Sequence, residues 1–394
     1  MDTFFAVTAP GLEKFTALEL SRLNLMPRAA QEPVTESGGI AFRGDLRALY
    51  TANLHLRTAN RILARVGNFF YAETFTDLLN KTTRLPWERF LQAGQPVALR
   101  VTCHKSKLYH SDAVAQRVRE AMGARLGAEP PEAETTSPAP HQLIVVRVNH
   151  NQVTISIDAS GDLLHRRGYR LAVAKAPLRE TLAAAMLLAS GWDFNAPLID
   201  PFCGSGTVAI EAALMARGIA PGLNRRFAFM DWQNYDAALW QEVRAAAQPS
   251  ERRVPTIFAA DRDTGAVQMA RENAQRAGVA EWITFQQQAI SHLQPPAQVG
   301  WVVTNPPYGV RIEDSKDLRN LYAQFGNVLR ARCPNWHVAV LCNDPILIGQ
   351  MGIAVETALF TVNGGIPVKL ECGQVSFNKG NDSGISVSAV ETAD

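Results

Sequence analysis

Apolar positions follow two different rhythms along the chain. In the first 165 residues short alternating runs mix with helical spacing. FFAVTA (4–9) predicts a strand, and GLEKFTALELSRLN sets Leu12, Phe15, Leu18 and Leu23 near helical spacing, predicting an amphipathic helix. RVTCHKSKLYHSDAVAQRVREAMGARLG (100–127) predicts a strand, a basic turn, and a helix with Val114, Val118, Met122 and Leu126 on one face. QLIVVRVNHNQVTISIDAS alternates β-branched and polar residues, which predicts a hairpin turning at Asn149–Asn151. This front half therefore reads as α+β.

The back half changes to unbroken apolar runs. PLID, TIFAAD, WITFQQ, WVVTNPP and HVAVLCND alternate with helical stretches at 179–190, 207–217, 264–277 and about 315–332. Strands without alternation have both faces covered, so this rhythm predicts βαβ units and a parallel sheet between helical layers. ETALFTVNGGIPVKLECGQV then predicts an antiparallel hairpin with its turn at 363–365. AEPPEAETTSPAPH (128–141) has no periodicity and reads as an exposed loop, and the polar tail 379–394 reads as frayed. No internal repeat is evident.

Composition narrows the class. The 394 residues are 47% hydrophobic and 19% charged, with five scattered cysteines (Cys103, Cys203, Cys333, Cys342, Cys372) and no C-x-x-C spacing. That argues against a disulfide framework and a zinc site, and suits a reducing cytoplasm. His104, His110 and His165 are too dispersed to argue for a metal. There is no signal-peptide pattern at MDTFFAVTAPGLEKF and no apolar run of spanning length. The net charge of +2 hides an asymmetry. Residues 1–180 hold 23 Lys and Arg against 17 Asp and Glu, and the remainder hold 16 against 20. A basic front half fits a polyanionic partner.

Three turns at predicted strand ends carry the chemistry. LIDPFCGSGT ends its strand at Asp200, and Gly204 and Gly206 allow positive φ and close backbone approach before a helix that starts near Thr207. Its spacing matches neither G-x-G-x-x-G nor the P-loop, which demotes dinucleotides and ATP; the competing reading is a tight strand-to-helix turn. The next strand ends at Asp261. That acid suits a ribose diol, or caps the following helix, a role that Asp263 can take instead. WVVTNPPY ends in Asn305-Pro306-Pro307-Tyr308. Paired prolines make a rigid turn that aims the Asn305 side-chain oxygen and the Pro306 carbonyl one way, two acceptors for the two hydrogens of an exocyclic amine, while Tyr308 offers a flat face to a base. On the front half and the link, Lys105, Lys107, Arg166, Arg167, Arg170 and Lys175 are phosphate-contact candidates. For the link arginines the alternative is a brace between the halves.

DPFCGSGT, AAD and NPPY in this order resemble the S-adenosylmethionine-dependent methyltransferases that act on exocyclic base amines. VTAPGLEKF and the HKSKLYHSDAVAQRVREAM block look like a ferredoxin-like domain followed by a THUMP RNA-binding domain. HRRGYRLAVAKAPLRETLAAAML (165–187) and APGLNRRFAFMDW (220–232) are similar to the bacterial enzymes that make N2-methylguanosine in 23S ribosomal RNA, the RlmL type. The resemblance covers about residues 3 to 376 and implies domains at 1–65 (ferredoxin-like), 66–165 (THUMP) and 166–378 (Rossmann-like methyltransferase). It implies S-adenosylmethionine as cofactor, with Asp200, Phe202, Cys203, Gly204, Ser205, Gly206 and Thr207 forming its turn. Asp261 and Arg262 would lie at the ribose, Arg179 and Glu180 in the segment closing over the methionine, and Asn305 beside the cofactor. Gln288, followed by Ala289 in the same cofactor segment, stands where relatives deliver an Asp to the adenine amine, a departure that an amide acceptor or a main-chain carbonyl can fill. Because the guanine N2 lone pair is delocalised, catalysis would be mostly positioning by Asn305, Pro306, Pro307 and Tyr308, without a strong base. Cys203 sits inside the cofactor turn, which argues against covalent chemistry. A tRNA guanosine, N6-adenine methylation and a non-catalytic RNA-binding protein are the alternatives.

Overall fold

A computed structural model describes residues 1–26, 35–36, 38–135, 141–170, 178–249, 251, 253–308 and 315–376. The expectations for Lys175 and for the tail 379–394 lie outside the described residues. No helix among the described residues is long and apolar enough to cross a membrane.

The front half is one sheet of eight strands: β1 (Asp2–Thr8), β2 (Thr35–Glu36), β3 (Gly39–Gly44), β4 (Ala59–Arg65), β5 (Phe70–Tyr71), β6 (Val97–His104), β7 (Gln142–Asn149) and β8 (Gln152–Asp158). Its order is β2-β3-β1-β4-β8-β7-β6, with β5 pairing β8. The hairpin expected at 142–160 forms as β7 and β8, and His150 and Asn151 take the positive φ that its two-residue turn requires. Because β4 pairs β8 antiparallel, the ferredoxin-like and THUMP segments share a continuous sheet. Helices α1 (Glu13–Arg22), α2 (Leu46–His55), α3 (Phe75–Thr83) and α4 (Ser111–Leu126) belong to this half.

The back half holds helices α5 (Glu180–Ala189), α6 (Thr207–Ala216), α7 (Ala237–Ala246), α8 (Thr264–Arg276), α9 (Ser315–Arg332) and α10 (Pro345–Gln350). Its strands are β9 (Leu198–Asp200), β10 (Ile257–Asp261), β11 (Ile283–Gln287), β12 (Trp301–Thr304), β13 (His337–Cys342), β14 (Val355–Asn363) and β15 (Ile366–Gln374). They order as β11-β10-β9-β12-β13-β15-β14, with the first five parallel and the last two antiparallel. The unbroken apolar runs now have their reason. Neighbouring strand residues enter opposite cores: Leu198, Val303, Ala339 and Leu341 pack under α5, α6 and α8, and Ile199, Val302, Val338 and Val340 pack under α9 and α10.

One segment crosses between the halves. Residues 220–247 leave the back-half sheet after α6 and pack into the core of the front half through Phe227, Phe229, Trp232, Trp240 and Val243. Phe229 stacks on Tyr50 with ring centroids 4.5 Å apart, and Trp232 Nε1 donates to Gln142 Oε1 at 2.9 Å. Trp192 lies in the back-half core with Phe194 packed against it, so neither ring is presented to a nucleic acid.

Candidate active site

The parallel strands run outward from β9 in two directions, β10 and β11 to one side, β12 and β13 to the other. Their carboxyl ends diverge at β9 and β12, where such sheets bind ligands. A cavity of about 930 Å³ opens there. Its floor comes from Pro201, Phe202 and Gly204 after β9, Asp261 and Arg262 at the end of β10, and Gln288, Ala289 and Ile290 after β11. Asn305 and Pro307 after β12 form one side, and α9 closes the other with Asp317, Leu318, Asn320, Leu321, Gln324 and Asn327. The α9 wall was not legible from the sequence. Its signal was a polar face, Asp317, Asn320, Gln324 and Asn327 at helical spacing, on a helix whose other face carries core residues Leu318, Tyr322, Phe325 and Leu329.

Two glycines of the first turn do different work. Gly204 has φ +49, and a Cβ there would meet nothing within 4 Å, so this side of the turn is open to a ligand. Gly206 has φ +83, and its Cβ would come within 2.9 Å of Ala270 on α8. That glycine allows helix α6 to pack on α8 and does not border the cavity. Ser205 likewise faces α8, its carbonyl accepting from Asn273 Nδ2 at 3.0 Å. Cys203 is buried and its thiol pKa is pushed up by burial, which removes it as a nucleophile.

Asp200 is 1% exposed and lies beneath the cavity. Its Oδ1 accepts from the Thr304 hydroxyl at 2.6 Å and from the Phe202 N–H at 3.3 Å. Thr304 directly precedes Asn305, so this carboxylate latches the glycine turn to the Asn-Pro-Pro turn. Burial raises the Asp200 pKa to about 7 against those two hydrogen bonds, with the Asp261 charge adding to the rise. The ordinary value is 3.8, so the folded chain binds this proton more tightly than the unfolded chain. Stability from this group is therefore present at low pH and lost as pH rises from about 4 to about 7. Urea unfolding across that window should show the stability of the native chain relative to Asp200→Asn falling with pH, then levelling. A flat or rising difference would refute the assignment.

Asp261 Oδ2 accepts from the Gly204 N–H at 3.0 Å and Oδ1 from the Asp263 N–H at 3.1 Å. Asp263 caps α8, accepting from Gly265 and Ala266, so Asp261 is left to border the cavity. The Gln288 N–H donates to the Asp261 carbonyl at 2.9 Å, and its side chain lines the wall. Asn305 Oδ1 is buried without a hydrogen-bond partner among the described residues. Tyr308 is half-buried, and its hydroxyl accepts from Asn363 Nδ2 at 2.8 Å, at the tip of the β14–β15 hairpin. Pro306 is buried, while the Pro307 carbonyl accepts from the Tyr322 hydroxyl of α9 at 3.4 Å.

The link arginines divide. Arg166 is exposed and among the described residues pairs only with Asp162, at 3.1 Å, and Lys105 and Lys107 are exposed at the far end of the front half. Arg167 and Arg170 turn inward, which corrects their assignment as phosphate contacts. Arg167 donates to the carbonyls of Leu164 and Arg57, both at 2.6 Å, and stands 3.5 Å from the fully buried Glu211 of α6. Arg170 donates to Thr207 Oγ1 at 2.5 Å and to the Leu178 carbonyl at 3.1 Å, and faces Glu180 at 3.5 Å. Thr207 and Glu180 therefore stand behind the turn, with one Glu180 oxygen, Oε2, buried and without a hydrogen-bond partner among the described residues. Arg179 is exposed at the start of α5.

Five parallel strands finished by an antiparallel hairpin, with the glycine turn and the Asn-Pro-Pro-Tyr turn facing one cavity, define a Rossmann-like methyltransferase. The chain belongs to the RlmL-type family of THUMP-domain methyltransferases. The RlmL ferredoxin-like domain matches residues 3–63, the THUMP domain 72–158, and the RMKL-like methyltransferase domain 167–365. It is 35% identical over 389 residues to the ribosomal RNA large subunit methyltransferase K/L of Syntrophotalea carbinolica, covering 95% of this chain and 53% of that protein. The chain thus spans about half the length of this curated relative. SMU.472, solved in complex with SAH, matches at TM-score 0.83 and 31% identity over 94% of this chain and 97% of its own. A Listeria monocytogenes protein classed from its sequence as an N6-adenine-specific DNA methylase matches at 0.83 and 35%, over 94% and 96%.

Proposed function

We propose that the chain transfers a methyl group from S-adenosylmethionine to the exocyclic N2 amine of a guanosine in 23S ribosomal RNA. The observation that carries this reading is Asn305, a residue of the cavity wall whose side-chain oxygen is a buried acceptor without a hydrogen-bond partner among the described residues. A buried acceptor left unpaired costs about 1–3 kcal/mol, and an amine N–H is the group that relieves it. The cofactor fits the opposite side: Gly204 leaves space for it, and Asp261 and Gln288 present acceptors there. When bound, S-adenosylmethionine supplies the electrophilic methyl group. The chain supplies position. Asn305 and the Pro306 carbonyl hold the amine hydrogens, and Asp200 keeps both turns in register. Tyr308, steadied by Asn363, would face a base that has left its stack. The methylated nitrogen then gives up a proton, for which solvent suffices.

The large-subunit ribosomal RNA target is supported by the K/L relative and the THUMP match, and the guanine N2 position by the resemblance of 165–187 and 220–232. The test is methyl transfer from labelled S-adenosylmethionine into separated rRNA, tRNA and DNA that lack the modification, with mass spectrometry of the product. N2-methylguanosine in 23S rRNA is expected. The same nucleoside in tRNA would move the target, N6-methyladenosine would overturn the base, and no product would leave a binding protein.

A further inference from the structure

The end of the front-half sheet farthest from the methyltransferase half presents rings to solvent. Phe69, Tyr71 and Tyr109 are 57%, 58% and 69% exposed. The Phe69 and Tyr71 rings meet edge to face at 6.1 Å, and Tyr109 lies against His110 at 4.1 Å. The backbone that carries them is tied down around Asn151. Its Oδ1 accepts from the Lys107 N–H at 2.8 Å, its N–H donates to Ser106 Oγ at 3.0 Å, and its carbonyl accepts from the Ala72 N–H at 2.9 Å. Three loops are thereby locked together, and the rings are held outward by ordered structure. Lys105 is exposed in the loop that carries Tyr109, with the left-handed φ of 44°. Lys107 pairs with Glu73, but both side chains are exposed, so exchanging that carboxylate for a phosphate costs little.

We propose that this end of the front half is a stacking platform for unpaired nucleotides, with Tyr71, Tyr109 and Phe69 receiving bases and Lys105 and Lys107 meeting the adjoining phosphates. It rests on the reading that the substrate is RNA. Only unpaired bases offer their faces to aromatic side chains, whereas a duplex offers phosphates and groove edges. Two exposed ring pairs, with exposed lysines in the loop that carries Tyr109, suit a strand of alternating bases and phosphates better than a continuous apolar protein face. The platform is also remote from the chemistry. Tyr71 pairs with Gln152 at the start of β8, and the chain reaches the joint with the methyltransferase half only beyond Asp158. Seven strand residues span roughly 20 Å, so a bound RNA would be held at two separate places.

The test uses the full chain and fluorescence anisotropy with a labelled oligouridine and a blunt-ended RNA duplex. Tyr71→Ala and Tyr109→Ala are each expected to weaken oligouridine binding about fivefold to a hundredfold, and to change duplex binding less than about twofold. Tyr71→Phe and Tyr109→Phe should keep the affinity, because the ring face remains; melting temperatures check that every variant is folded. Unchanged oligouridine affinity in the alanine variants overturns the proposal. So does an equal loss for duplex and single strand, or a loss in the phenylalanine variants as large as in the alanine ones. If the native chain binds no RNA, the substrate reading falls with it, whereas methylated RNA with unchanged affinity in the alanine variants sinks the platform alone.

Discussion

Replacing Asn305 with alanine is expected to lower single-turnover methyl transfer by about 10²–10³-fold, the cost of removing one preorganised polar group from a reacting centre. Cofactor affinity, followed by calorimetry, should stay within about threefold. The split follows from the wall in which Asn305 stands. The cofactor contacts proposed at Gly204, Asp261 and Gln288 come from three other strand ends, and none hydrogen-bonds to Asn305. The side-chain oxygen is buried and has no hydrogen-bond partner among the described residues, so its removal strands no donor and should leave the melting temperature at or above the native value. Unchanged turnover would contradict the role of this oxygen. An equal loss of cofactor affinity would place Asn305 among the cofactor contacts instead.

Arg167→Ala is expected to destabilise the chain by about 3–5 kcal/mol, the range for breaking a buried ion pair by removing one partner. Its guanidinium lies between the halves. The carbonyls of Leu164 and Arg57 lose their donor, and Glu211, with a side chain fully out of solvent, keeps among the described residues only the Tyr169 hydroxyl at 3.2 Å and Arg57 at 3.8 Å. Urea unfolding monitored by tryptophan fluorescence measures the loss. Arg166→Ala is the internal comparison. That neighbour is exposed and, among the described residues, paired only with Asp162, so its stability change should be below about 1 kcal/mol, while RNA affinity falls and the salt dependence of binding flattens. If Arg167→Ala instead left stability intact and weakened RNA binding, the inward placement of Arg167 would be wrong.

These two residues show why adjacent letters in HRRGYR could not be separated beforehand. Charge, chain position and type are the same for Arg166 and Arg167. What differs is which side of the chain faces Arg57 and α6, elements more than forty residues away on either side. The glycine turn behaves likewise. Gly204 and Gly206 both take positive φ, as the tight turn requires, but only the placement of α8 gives Gly206 its neighbour at Ala270 and leaves Gly204 facing open space.

The sequence by itself determined what depends on local pattern. Unbroken apolar runs set the parallel sheet between two helical layers, β-branched alternation set the hairpin at 142–158, the turn at 363–365 set the one at 355–374, and the order of the three turns identified the methyltransferase family. Each is a property of neighbouring residues or of fixed spacing, and period is readable along a chain. Tertiary structure alone decided what needs partners distant in sequence. It placed Asp200 beneath the cavity as a latch to Thr304, made α9 a wall, and brought Asn363 to Tyr308. It also drew residues 220–247 out of the methyltransferase half into the front-half core, where Trp232 and Trp240 find their apolar surroundings. Burial and hydrogen bonding are pairwise and non-local, so the same residue type serves as ligand contact, latch or brace according to what the fold sets against it.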